Sequence, residues 1–357
     1  MARIDQVIPS LASRDAIGVH TLALSEGLRA RGIDSTIYYG NATPDVAALG
    51  QPITDLARAG KRHLLYQSSI GSPVFDHFAA RPEPKLVNYH NITPARLLAP
   101  WEPAVGFEVS LGRTQLARLA EVSGLAVADS YYNEGELHDL GFRITAVVSL
   151  LIDMKAKGVL PDPAMSEALR ARKAKGGIDL LFVGKVSPHK APHDLVKALS
   201  LYRRLYDPMA RLNLVGSPLG SRYLPSLQGF IDELGLSDAV FIVGSLSQEE
   251  LESYWRNADV FVCASDHEGF CVPLVEAMGH GIPVVANAVA AIPETVGEAG
   301  VLVRNKTPLS LAASIHRVVT DKTLRSRLIA AGHARAGSFD HVSSREKFVD
   351  LLVDAIN

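Results

Sequence analysis

Short β-branched runs alternate with helical patterns over almost the whole chain, and that alternation leaves few folds open to it. A strand, a crossover helix and a further strand build a parallel sheet covered on both faces, so the fold class is α/β. In the first half the strand signals fall near Asp5 to Pro9, Ser35 to Tyr39, Leu86 to His90, Ala126 to Asp129 and Ala146 to Leu150. Between the first two, Val19 to Arg31 places Leu22, Leu24 and Leu28 on one side of a helix, and Gly32 supplies a stop. The stretch Leu151 to Gly177 interrupts this rhythm with a Pro161-Asp-Pro163 turn signal, a short amphipathic helix and Lys175-Gly-Gly177. A second alternation follows, with strands at Leu180 to Val183, Arg211 to Val215, Val240 to Val243, Val260 to Ala264 and Pro283 to Ala286. The expected organisation is a first domain over residues 1–152, a linker over 153–177, a second domain over 178–338, and a helical segment, 339–357, that packs back on the first domain. A length of 357 residues suits two such domains. Two doubly wound sheets facing a central cleft would open the carboxyl ends of their strands onto it, where open α/β sheets bind ligands.

Charge excludes some partners. Lys and Arg number 36 against 38 Asp and Glu, so no overall positive field argues for nucleic acid. The only two cysteines, Cys263 and Cys271, cannot staple a fold of this size, and free thiols suit a reducing compartment. The N-terminal Met1-Ala-Arg-Ile-Asp-Gln-Val-Ile-Pro9 lacks the apolar stretch of a signal peptide, and no run approaches the roughly 18 apolar residues of a membrane span. A cytoplasmic protein is expected. Peripheral contact with the inner face of a membrane stays open through Arg58, Lys61, Arg62 and His63, or Arg113 and Arg118, on surface helices; a solvated helix face is the simpler account.

The densest chemical signal is Ala264-Ser-Asp-His-Glu-Gly-Phe-Cys-Val-Pro-Leu-Val-Glu-Ala-Met278, directly after a strand and running into a helix. Glu268 and Glu276 stand eight positions apart. With a helix starting near Gly269, Glu268 sits at its mouth and Glu276 about two turns along, on roughly the same side. One carboxylate could take sugar hydroxyls and the other ribose hydroxyls, because an ionised carboxylate accepts from a diol without a metal. The amides of Phe270, Cys271 and Val272 would face an anion at the helix N-terminus, which suits a diphosphate. Taken alone, the two glutamates equally suit a helix-start acid and a solvated side chain. The apolar neighbours Leu274, Val275, Ala277 and Met278 make Glu276 a poor idle charge. A second element, Phe182-Val-Gly-Lys185-Val-Ser-Pro-His-Lys190, puts two cations where a strand ends, able to neutralise a leaving diphosphate. Asp266-His-Glu268 invites a metal, yet neighbours along an extended chain point in alternate directions, and no Asp-x-Asp pair is present. No metal and no cofactor are expected to be required. The absence of Gly-x-Gly-x-x-Gly after the first strand argues against a dinucleotide dehydrogenase.

Gly269-Phe-Cys-Val-Pro-Leu-Val-Glu-Ala-Met278, Gly281-Ile-Pro-Val-Val-Ala286 and Ile292-Pro-Glu-Thr-Val-Gly297 resemble the retaining glycosyltransferases of family 4, the group 1 glycosyl transferases of GT-B architecture. In that family the first segment reads Gly-Phe-Gly-x-Pro-x-x-Glu-Ala-Met, so Cys271 stands where glycine is usual. Where that family reads Gly-Arg with a Lys-Gly further on, Lys185 replaces the arginine and Ala191, directly after Lys190, the glycine. The resemblance implies two Rossmann-like domains and transfer of a hexose from a nucleotide-diphosphate sugar, GDP-mannose first and a UDP-sugar second, to a saccharide or other hydroxyl acceptor, lipid-linked ones included. It implies catalytic roles for Glu268, His90 and Lys190, with His90, in Asn88-Tyr-His90-Asn-Ile-Thr-Pro94, contacting the transferred sugar. Donor binding would fall to Gly18, Lys185, Lys190, Leu246, Glu268, Gly269, Phe270, Cys271, Val272 and Glu276, with Gly18 near a phosphate and Leu246 near the base. The segment Ala128-Asp-Ser130 with Asn133 and Glu136 also fits the family, in a role that packing explains equally. The acceptor hydroxyl would attack from the face the leaving group departs, with no enzymic nucleophile. Two rivals remain: an epimerase acting on the nucleotide sugar alone, and a non-catalytic nucleotide-sugar-binding protein. Oligomeric state is not legible.

Overall fold

In the computed structural model, which describes residues 2–13, 15–56, 61–151, 158–220 and 222–356, the chain divides into two compact units. Met1–Arg96, Ala104–Asp153 and Phe339–Asn357 make the first; Leu97–Pro103 and Met154–Ser338 make the second.

The first unit is built on seven strands: β1 (Ile4–Leu11), β2 (Ile37–Ala42), β3 (Gln51–Pro52), β4 (His63–Ser68), β5 (Lys85–Tyr89), β6 (Ser123–Ala128) and β7 (Thr145–Val147). They pair in the order β3-β2-β1-β4-β5-β6-β7, all parallel, with Gln6 against Ile37 on one side of β1 and against Leu65 on the other. The helix Ala16–Ala30 follows β1, its first turn capped by Asp15, whose carboxylate accepts from the Gly18 amide. Its Leu24 and Leu28 join Ile4, Leu65, Leu86 and Val127 in one core, and the C-terminal helix His341–Ile356 adds Phe348, Val349 and Leu352 to the same cluster. The final helix is therefore part of the first unit's core.

The strand β4 corrects the sequence reading. Of the cationic stretch expected on a surface helix, Arg58 lies outside the described residues, and His63 opens a strand in the middle of the sheet. Arg62 is buried against Asp5 at 3.0 Å and Glu83 at 3.2 Å, so it neutralises carboxylates and presents no charge outward. Despite desolvation, Arg81 and Arg62 hold the Glu83 carboxyl down at about 2. Arg113 is likewise occupied by Glu136 at 3.1 Å, and Arg118 lies over the Phe75 ring.

The second unit has six parallel strands: β8 (Asp179–Val183), β9 (Arg211–Val215), β10 (Val240–Gly244), β11 (Val260–Cys263), β12 (Val284–Asn287) and β13 (Gly300–Val303), in the order β10-β9-β8-β11-β12-β13. Leu180, Phe182, Leu212, Leu214, Val260 and Val262 supply its sheet core, covered by Leu195, Leu199, Ile315 and Val318 from helices. Residues from the expected linker form the helix Pro163–Lys173, capped by Asp162 and tied to the helix Gln248–Asn257 through Ser166 Oγ and Ser253 Oγ at 3.0 Å. Strands β8, β9 and β10 run outward on one side of β8, and β11 returns to its other side. Adjacent strands of opposite winding splay their following loops apart, and the crevice this leaves is the usual ligand position of such sheets.

Candidate functional site

The two loops at that switch point carry the residues that the sequence singles out. After β8 the chain runs through Gly184 and Lys185 to a single turn at Pro188–Lys190; after β11 it runs through Ala264 to Cys271 before the helix Val272–Gly279. The loops are joined by the Asp266 amide donating to the His189 carbonyl at 2.8 Å. Lys190 Nζ donates to Glu268 Oε2 at 2.6 Å, and Ser265 Oγ donates to Glu268 Oε1 at 2.7 Å. Glu268 is only 6% exposed, and these two donors satisfy both of its oxygens. Burial opposes the Lys190 charge, but the Glu268 carboxylate outweighs it and raises the ammonium above the ordinary lysine range. Lys185 is exposed, beside this pair in sequence but without an ion pair among the described residues.

Lys306 fastens the same loops from behind, with Nζ donating to the Ala264 carbonyl at 2.9 Å, to Asp266 at 2.5 Å and to Asp194 at 2.8 Å. Asp194 stands in the first turn of the helix Pro192–Leu205. One ammonium thus ties the end of β11 to the element that follows Lys190. Sequence reasoning did not single out Lys306, because nothing in its own neighbourhood reports a partner 40 or 112 positions away.

The helix after Glu268 starts at Val272, three residues later than the spacing predicts, so Glu276 lies just over one turn in. Cys271 occupies the N-cap with φ 70° and ψ 72°, a left-handed conformation that glycine adopts without strain and other residues adopt at a cost. The usual glycine at this position is thereby explained: the backbone must turn left here to start the helix. No acceptor among the described residues takes the amides of Cys271 and Val272, and Pro273 has no amide proton, so the helix mouth presents a pair of donors to an anion. Phe270 is buried behind it, its carbonyl accepting from Thr295 Oγ1 at 2.7 Å. Glu276 is half-buried; desolvation pushes its carboxyl up to about 7, with His280 pulling the other way. Leu246 is half-buried in the turn between β10 and the capping box at Ser247. Cys263, Glu268 and Cys271 bring one ligand atom each within 4.8 Å of one another, a grouping the sequence reading did not foresee.

In the first unit the structure places His90 just beyond β5, its ring fully covered. Nδ1 lies 2.9 Å from Asp129 Oδ2 and Nε2 lies 2.7 Å from Gln67 Oε1. Gln67 in turn donates to Gln6 at 2.7 Å and accepts from Asn88 at 3.0 Å, making a buried polar network across β1, β4 and β5. The His20 ring meets His90 edge-on at 5.1 Å and is kept neutral, because burial lowers its pKa well below the usual value. Since both His90 nitrogens are engaged, a sugar reaches them only by displacing a partner. Burial also raises the Asp129 carboxyl, against the pull of His90. Gly18 owes its residue type to packing, since a Cβ there would meet the Ala12 carbonyl oxygen at 2.1 Å.

Residues 166–335 match the family model described as glycosyl transferases group 1. The D-inositol 3-phosphate glycosyltransferase of Thermomonospora curvata is 35% identical over 212 residues, 57% of this chain and 49% of that protein. The protein of the same name from Kineococcus radiotolerans is 30% identical over 257 residues, 67% of this chain and 59% of the relative. The chain spans about half the length of the curated relatives it matches. Among solved structures, Anabaena Alr3699/HepE in complex with UDP-glucose superposes with a TM-score of 0.77 at 20% identity, covering 99% of this chain and 100% of that one. Sucrose-phosphate synthase from Thermosynechococcus elongatus gives 0.77 at 20% identity over 99% of both chains. These likenesses show the fold, two Rossmann-like domains of GT-B type. Among the described residues, no helix is long and apolar enough to cross a membrane.

Proposed function

We propose that this chain, whose residues 166–335 match the model of the group 1 glycosyl transferases, transfers a hexose from a nucleotide-diphosphate sugar to a hydroxyl acceptor with retention of configuration. The observation that carries the reading is the Lys190–Glu268 pair at the β8/β11 switch point, beside the free amides of Cys271 and Val272. A diphosphate seated at that helix mouth takes those amides and the Lys190 ammonium, and exposed Lys185 adds a second cation as negative charge grows on the leaving group. Glu268, released from Lys190, then accepts from sugar hydroxyls, while Glu276 accepts from the ribose diol. The acceptor hydroxyl attacks from the leaving-group face and passes its proton to the departing phosphate. His90 serves this reaction through the network it organises with Gln67 and Asp129, and approaches the sugar only when that network opens.

For the donor, GDP-mannose and UDP-sugars are the two candidates; the UDP-glucose bound in the Anabaena neighbour supports including the latter, and a phosphorylated inositol, named in the sequence relatives, joins saccharides and lipid-linked sugars as an acceptor to try. A thermal-shift screen of nucleotides and nucleotide sugars identifies the donor, because a ligand selective for the native state raises apparent stability. With that donor, Lys190→Ala and Glu268→Ala each lower turnover by about two orders of magnitude or more, the scale of losing one preorganised charged group. Near-normal turnover in both variants would remove the assignment, and sugar interconversion with donor alone would replace it with an epimerase.

A further inference from the structure

We propose that Cys263, Glu268 and Cys271 form a binding site for one thiophilic divalent cation of the zinc class, which switches off sugar transfer by occupying Glu268. The three ligand atoms lie within 4.8 Å of one another. A tetrahedral ion with sulfur at about 2.3 Å and oxygen at about 2.0 Å needs donors somewhat closer than that, so a small inward shift completes the shell and leaves the fourth position to water. The donors come from one loop that the fold bends back on itself. Cys263 ends β11, Cys271 caps the next helix, and Glu268 lies between.

That bend is held independently of any ion. Asn287 Nδ2 donates to the Ser265 carbonyl at 2.9 Å, Thr295 Oγ1 to the Phe270 carbonyl at 2.7 Å, and the Ala291 amide to the Glu268 carbonyl at 3.2 Å. Two of the ligands are dry, Cys263 at 1% and Glu268 at 6% exposure, and Cys271 is half-buried. Two thiols, a carboxylate and the Lys190 ammonium sum to zero charge. When a dication enters and two thiol protons leave, the sum is again zero, so the buried site accepts the ion without a net charge. Two thiolates and one carboxylate favour zinc-like ions over magnesium or calcium, which prefer all-oxygen shells. Ser265 Oγ donates to Glu268 Oε1 at 2.7 Å and lies 3.3 Å from Cys263 Sγ, so it links two of the three ligands.

Inhibition, unlike binding, rests on the function proposed above. The ion removes the carboxylate assigned to the sugar but leaves the amides of Cys271 and Val272 and both lysines to the diphosphate, so transfer is lost while nucleoside diphosphate still binds. The test uses Co2+ as a spectroscopic probe on the reduced full chain. One equivalent is expected to give a thiolate-to-cobalt charge-transfer band, lost in Cys263→Ala, in the volume-conserving Cys263→Ser and in Cys271→Gly. No such band in the native chain, or an undiminished band in both Cys263 variants, overturns the site. Saturating Zn2+ is then expected to lower turnover at least about tenfold in the native chain and to leave Cys263→Ala unaffected; equal inhibition of both overturns the switch. If no nucleotide sugar is turned over at all, the functional reading fails while the cobalt spectrum still decides the site.

Discussion

Glu276 shows how one residue's surroundings set a pH dependence. Burial raises its carboxyl from 4.5 to about 7, so between those values the folded chain holds a proton that the unfolded chain has lost. Stability contributed by this group therefore falls as pH rises through that window. On the role proposed for Glu276 as acceptor for the ribose diol, binding has the opposite sign, because that role needs the ionised carboxylate. At pH 6 about a tenth of the group is ionised, so nucleotide affinity is expected to rise about tenfold between pH 6 and pH 8. Glu276→Gln, which cannot ionise, should bind weakly and flatten that rise; isothermal titration across the range reads both slopes. An unchanged slope in the variant would move the ribose elsewhere.

At the scale of elements, the site depends on how closely strands and helices approach at their ends. The helix Ala16–Ala30 can start where it does only because Gly18 has no side chain against the Ala12 carbonyl. Gly18→Ala forces the helix start and the end of β1 apart and is expected to destabilise the first unit by about 1–3 kcal/mol, measured by denaturant unfolding. A loss below about 0.5 kcal/mol would mean the loop yields freely. In the second unit the equivalent constraint is electrostatic. Lys306 holds the ends of two elements through Asp194, Asp266 and the Ala264 carbonyl, so the Lys190–Glu268 geometry is supported by contacts outside the pair itself.

For the whole molecule, the chain's end completes its beginning. Phe348 is fully buried with Leu24, Leu28 and Ile4, and its ring meets His20 edge-on at 5.4 Å. Phe348→Ala should cost about 3–5 kcal/mol and lower the melting temperature of the first unit, whereas Leu309→Ala, at an exposed position, should change little. Much of this architecture was legible from hydrophobic alternation, since strand and helix periods are local properties: the readings at Arg211 to Val215 and Val19 to Arg31 coincide with observed elements to within three residues. Strand β4 was missed because its apolar run, Leu64 to Tyr66, is short and adjoins a cationic stretch that reads as a helix face; β13 was missed because four residues carry too little pattern. Glu268, Lys190 and the glycine-like turn at Cys271 stood out because strand-end chemistry is compressed into single segments. Their pairing did not, nor did the His90 network, the Lys306 tie or the meeting of the two thiols with Glu268. By itself the sequence determined the class of fold and the segments that carry the chemistry, because those follow from nearest neighbours along the chain. Only the tertiary structure decided which charges meet, because strand order at a switch point brings together loops 78 positions apart, and no local pattern records that distance.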